Sequence, residues 1–212
     1  MKNLIALTTV MVLGTGALMA QDYTSNNNDS GLTDKGIEYG VKAGVNFASV
    51  TGNDIKDPDS RTSFNAGIFA EIPLSDAFSV QPEVYYSGQG YDIKEINQAN
   101  EFDTSDNIEY QLDYINVPLL AKFYIVDGLS VQAGPSFNFK VNEEIDYHPN
   151  ADSGDIDLDR AKDFELGGAA GIAYKFYGGF FVEGRYNYGF TNLFENRDIH
   201  NSTFQAGLGF TF

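Results

Sequence analysis

The feature that most constrains this chain is the spacing between its stretches of alternating side chains. From Ile37 onward almost nothing recurs with helical period. Apolar and polar residues alternate instead, with the period of a β-strand. Eight strands are predicted, at Glu38–Val50, Thr62–Ile72, Phe78–Ser87, Tyr110–Ile125, Leu129–Val141, Phe164–Phe176, Gly179–Phe190 and Thr203–Phe212. Three connections are tight and rich in turn residues: Pro73–Ala77, Val126–Gly128 and Tyr177–Gly178. The other four are long: Thr51–Arg61, Gly88–Glu109, Asn142–Asp163 and Thr191–Ser202. Long and short strictly alternate. In an up-and-down barrel this order gathers every long loop at one end and every short turn at the other. Bacterial outer-membrane barrels follow that plan, with an even strand count, long loops outside the cell and short turns in the periplasm. The expected fold class is all-β, an eight-stranded antiparallel up-and-down transmembrane β-barrel over residues 37–212.

Alternation alone does not separate a membrane barrel from a soluble one, because the two are inside-out versions of each other. In the last strand Phe204, Ala206, Leu208, Phe210 and Phe212 share one face, and Gln205, Gly207, Gly209 and Thr211 the other. Phe78, Val80, Pro82, Val84 and Tyr86 likewise oppose Ser79, Gln81, Glu83, Tyr85 and Ser87. The polar faces are rich in Gly, Ala and Ser, which suits a crowded, narrow interior. The apolar faces carry Tyr and Phe at both rims, as in Phe78 with Tyr86 or Phe180 with Tyr188, in the manner of interfacial girdles. The chain closes on Phe212 at the end of an amphipathic strand, the kind of terminus expected to engage the outer-membrane barrel-assembly machinery. A secreted, lipocalin-like binding barrel is the soluble alternative, and the absence of Trp counts against it.

Met1–Ala20 reads MKNLIALTTVMVLGTGALMA: one Lys, an apolar run and small residues before the expected cut. This is the layout of a secretory signal peptide. Gln21–Gly36 is polar, Asn-rich and aperiodic, and is expected to be a flexible periplasmic leader. With no Cys, disulfides, thiolate metal sites and a lipoprotein anchor are excluded. The 13 basic residues stand against 30 acidic ones, so nucleic acid is not an expected partner.

Most of the acid lies in the four long connections, which hold 3, 6, 8 and 2 carboxylates in chain order. A basic or cation-bridged surface partner is therefore expected there, while the core and strand pairing are expected to lie elsewhere. On the polar faces of the strands the signs mix: Lys42, Glu71, Glu83, Lys122, Lys140, Glu165, Lys175, Glu183 and Arg185. Eight strands leave room inside only for side chains, and unpaired buried charge is costly, so these residues are expected to pair and plug the lumen.

Candidate chemistry is sparse. His148 and His200 are the only histidines, near Asp146, Asp152, Asp198 and Ser202, and acids are so common here that proximity says little. The run Asp152–Asp159 alternates acids as a Ca²⁺ loop does, but Arg160 stands where that loop needs Gly and Leu166 where it needs Glu. Weak divalent-ion binding is the most it suggests. No catalytic, cofactor-binding or metal-ligating residues are assigned, no cofactor is expected, and the chain is not expected to be an enzyme.

Leu112–Tyr124, LDYINVPLLAKFY, resembles the signature strand of the outer-membrane β-barrel domain family of Gram-negative bacteria, the porin-like and PorT-like eight-stranded barrels. Tyr114, Ile115, Val117, Pro118, Leu119, Leu120 and Lys122 match its pattern. Tyr39–Ser49 and Val131–Phe139 are similar to two further strands of that family. The resemblance implies a cell outer membrane location and an eight-stranded barrel, and implies no single activity. The resulting expectation is a structural or surface-interaction protein embedded in the outer-membrane lipid bilayer. A porin-like small-solute channel is the alternative, and an outer-membrane rim enzyme is further off.

Overall fold

The computed structural model describes residues 36–53, 58–94, 107–146, 156–157, 161–194 and 197–212. The expected signal peptide, nearly all of the leader, His148 and most of Asp152–Asp159 lie outside the described residues.

The strands are β1 (Glu38–Thr51), β2 (Asp59–Ser75), β3 (Phe78–Lys94), β4 (Asn107–Val126), β5 (Leu129–Asp146), β6 (Ile156–Asp157), β7 (Phe164–Lys175), β8 (Phe180–Gly189) and β9 (His200–Thr211). Apart from β6, each pairs antiparallel with its neighbours in sequence, β1 pairs with β9, and β4–β5 pairing completes the ring. This is a closed, eight-stranded, up-and-down barrel. Two-residue β6 is a side-piece, pairing Glu144 with Asp157 and Ile145 with Ile156 against β5.

The expected turns sit at the inner end. Asp127–Gly128 joins β4 to β5, and Gly128 has φ of +79°, a left-handed conformation that a side chain would disfavour. At the outer end the expected boundaries were too short. Gly88–Lys94 and Asn107–Glu109, read as loop, are strand, as are Asp59–Arg61 and Asn142–Asp146. Strands β7, β8 and β9 have 12, 10 and 12 residues, about what a tilted strand needs to cross a bilayer. Strands β2 to β5 have 17 to 20. Since the short turns align them at the inner end, the surplus stands above the outer rim as a one-sided wall.

Face assignments follow the sequence parity. Phe204, Leu208, Ile172, Val182 and Phe64 point outward and are exposed, while Gln205, Gln81, Glu83 and Asn46 are buried inside. The outward rings pair across strands at both rims, Phe78 with Phe123 and Phe180 with Phe210 at the inner one, Phe139 with Phe164 at the outer one. In the signature strand β4 the parity holds but the chemistry does not. Tyr114, Pro118 and Leu120 point inward with Lys122, and Ile115, Val117 and Leu119 outward.

Candidate functional site

The lumen is the interior of this barrel, and its contents decide what the barrel can pass or hold. Four layers fill it, from the inner end to the outer.

At the inner end Glu71 of β2 accepts from Lys122 Nζ at 2.7 Å and Ser79 Oγ at 2.8 Å, with Tyr124 OH a third donor. Lys122 also donates to Gln81 Oε1 at 3.1 Å, which links this layer to the next. At mid-height Arg185 of β8 grips Glu83 of β3 with two parallel hydrogen bonds, 2.6 and 2.8 Å, across the barrel. Its Nη2 donates again to Glu183 at 2.8 Å. Lys42 of β1 donates to both carboxylates at 2.8 Å and stands 4.5 Å from the centre of the Tyr85 ring. Strand alternation explains the convergence: each of these residues falls on an inward position, and a barrel this narrow brings opposite walls within one side-chain length. Three bases meet three acids, so the expected pairing of Glu71, Glu83 and Glu183 with Lys42, Lys122 and Arg185 is present. The cavity lined by Gln81, Lys122, Gln132 and Glu183 measures about 10 Å³, room for roughly one water.

Above this plug lies a layer of amides. Asn46 donates to Ser87 Oγ at 3.0 Å and Gly88 O at 2.6 Å, and accepts from Gln205 Nε2 at 3.0 Å. Glu165, expected to find a base, instead accepts from Asn138 and Asn201. Lys175 pairs with Glu38 at 2.5 Å, and Lys140 with Glu143 at 2.7 Å.

The outer end is closed by an apolar cluster that the sequence reading missed, and this corrects the expectation that the core lies away from the connections. Val50, Tyr91, Tyr110, Leu112, Tyr114, Ala161, Leu193 and Ile199 are buried together, with Ile145 and Phe194 packed against them. Tyr91 stacks on Tyr110 at 5.3 Å, and Phe194 meets Tyr110 edge-on at 6.2 Å. Glu143 ties the cap to the wall, accepting from Tyr110 OH, Lys140 Nζ and the Ala161 backbone N–H.

Among the described residues, His200, Asp198 and Ser202 do not assemble as a nucleophile and base. His200 has Nε2 at 3.1 Å from Asp198 and Nδ1 at 3.0 Å from the Gly189 carbonyl oxygen. Ser202 bonds Tyr186 OH instead, on the outward face. Asn53 donates to Asp198 at 2.5 Å, joining the first and fourth long connections. The Asn53 and His200 hydrogen bonds hold the Asp198 carboxyl below its usual range. Asp59, Asp92, Glu109 and Asp146 are register partners on the successive strands β2, β3, β4 and β5, a row of acidic positions.

The outer membrane protein beta-barrel domain family matches residues 19–195, which ends before β9. The structure is similar to Neisserial surface protein A, with TM-score 0.56, 16% identity, and coverage of 84% of this chain and 100% of that one. It is also similar to Ail, the attachment invasion locus protein of Yersinia pestis, solved with the heparin analogue sucrose octasulfate. There the TM-score is 0.52 and the identity 15%, over 83% of this chain and 99% of that one. No curated protein matches the chain in sequence. At such identities the structural likeness speaks for the fold alone.

Proposed function

The chain belongs to the outer membrane protein beta-barrel domain family and resides in the outer membrane, and from that premise we propose that it is a non-conducting barrel whose work is done at the cell surface. The observation that carries this reading is the filled lumen. An ion-pair plug crosses it at mid-height and an apolar cluster closes its outer end. A hydrated solute would have to break both, and the buried plug is held by charge-assisted bonds of the strong kind. No step of catalysis belongs to the reading.

The surface partner is proposed to be basic or bridged by cations. The two longest connections of the sequence, Gly88–Glu109 and Asn142–Asp163, hold 14 acids against 3 bases, and the strand portions of both rise on the one-sided wall. Ail is named with a polyanionic sugar analogue, and the charge here favours the opposite sign. The proposal also includes Met1–Ala20 as a removable export signal, Gln21–Gly36 as a periplasmic leader, and insertion by the barrel-assembly machinery through β9 and Phe212.

Single-channel recording in planar bilayers tests the filled lumen. The expected result is no sustained conductance, and stable steps from the purified protein would overturn the reading in favour of the porin-like channel. Vesicles carrying the protein should retain polylysine at low salt and release it as salt rises, since screening weakens exposed attraction. Retention of heparin in place of polylysine would reverse the assigned sign of the partner.

A further inference from the structure

One buried acid in the lumen forms no ion pair among the described residues. Glu165, on the inward face of β7, is 3% exposed, and none of the ion pairs among the described residues includes it. Both carboxylate oxygens accept hydrogen bonds, from Asn138 Nδ2 at 2.8 Å and Asn201 Nδ2 at 2.6 Å. That arrangement suits the ionised form, which only accepts. Gly189 permits it: a Cβ there would stand 2.8 Å from the Glu165 carboxyl carbon, so Glu165 reaches Asn201 across a strand that lacks a side chain at that point. His200, the first residue of β9 and next to Asn201, directs its ring nitrogens to Gly189 O and Asp198 and not to Glu165.

The same neighbourhood holds buried polar atoms without partners. Asn187 has neither amide atom bonded, and Thr203 Oγ1, Asn201 Oδ1 and Asn116 Oδ1 are also unpartnered. They are contiguous by register. Asn116 pairs with Asn138, which pairs with Glu165, and Asn187 pairs with Thr203 one inward position below Asn201. Tyr114 OH, above, contacts Asn201 Nδ2 at 3.5 Å, and Tyr85 OH, below, accepts from Asn116 at 3.3 Å. The orphaned oxygens thus lie between the outer cap and the plug, in the neighbourhood of the Glu165 carboxyl.

A buried carboxylate demands a counter-charge, and buried amide oxygens demand a donor or a cation. Water satisfies only the second need. We infer that Glu165, Asn116, Asn187, Asn201 and Thr203 form a buried site for one desolvated alkali cation, Na⁺ or K⁺. One carboxylate with several neutral oxygens balances a single charge, and oxygen donors are what hard cations take. The apolar cap above keeps bulk water from competing and makes exchange slow.

The test is thermal unfolding of the protein in detergent micelles, at fixed ionic strength, in NaCl, KCl or N-methyl-D-glucamine chloride. The inferred site predicts a midpoint several degrees higher in one or both alkali salts, saturating with concentration. Glu165→Gln, nearly isosteric, should erase the difference between salts. Thr203→Val, which removes one neutral oxygen and leaves the charge, should keep the difference and shift saturation to a concentration several-fold higher. Equal midpoints in all three salts would mean that Glu165 holds a proton and the layer only water, and the inference falls. An alkali-ion effect unchanged in Glu165→Gln places any cation elsewhere and overturns it equally.

Discussion

Arg185→Ala is the sharpest perturbation of the plug. Arg185 is 1% exposed and donates three hydrogen bonds to two carboxylates, both themselves in the interior. Truncation leaves Glu83 and Glu183 facing each other with Lys42 alone between them. Removing one member of a buried ion pair costs about 3–5 kcal/mol, because the surviving charge stays desolvated. The tyrosine-to-lysine contact at Tyr85 offsets little of this, since a cation–π contact is worth about 0.5–2 kcal/mol and survives the change unaltered. A loss of roughly 4 kcal/mol is therefore expected. The double variant Arg185→Met with Glu83→Leu keeps Lys42 balanced against Glu183, so it should cost less than Arg185→Ala alone. The assay is reversible urea unfolding in lipid vesicles, followed by circular dichroism and by the heat-dependent shift of the band in SDS gels, because the chain has no Trp. A single-variant cost under about 1 kcal/mol, or a double variant costing the sum of its parts, would refute the plug as one coupled unit.

Other outcomes test the remaining parts of the molecule. Leu208→Arg, on the lipid face and 63% exposed in the bare protein, should cost roughly 2–4 kcal/mol in vesicle unfolding, whereas Tyr177→Arg in the open β7–β8 turn should cost almost nothing; similar costs would show the faces to be wrongly assigned. Leu112→Ala, fully buried in the outer cap, should lose about 2–5 kcal/mol and speed amide exchange in the upper parts of β3 and β4, while a purely decorative cap would leave exchange unchanged. For Asp198 the sign runs as for any carboxyl whose folded value is lowered: its contribution is fully present above the ordinary Asp range and is lost as pH falls through the folded value. The Asn53 side-chain amide signals should therefore persist to a pH below about 3.9, the ordinary Asp value, before averaging; averaging already near neutrality would deny the link between the two connections.

Much of the barrel was legible because the membrane imposes one rule along each spanning strand. Residues Phe204 to Phe212 display it without exception, apolar toward lipid and small or polar inward. The rule reverses above the bilayer, where water lies outside and the lumen is stoppered. In β1 the inward positions run Lys42, Gly44, Asn46, Ala48, Val50, keeping parity while the chemistry changes from charged to apolar. A search for polar inward faces loses the strand there, which is why Gly88–Lys94 and the Tyr91–Tyr110 stack were read as loop. The ion pairs of the plug could be foreseen by sign and parity. The isolation of Glu165 could not, since it depends on which strand faces which across the lumen, and on Gly189 leaving a gap beside it.

The Lys42–Glu183 bond joins residues 141 positions apart, on opposite sides of the seam where β1 meets β9. Lys42 is on β1, the first strand of the ring, and Glu183 on β8, the last but one, so the bond forms only as the two ends of the chain come together. An interaction that forms only as the ring closes contributes little to the rate of insertion and resides almost wholly in the rate of opening. The plug is thus a time lock. Weakening it should shorten the lifetime of the inserted barrel while leaving its arrival in the membrane nearly as fast as before.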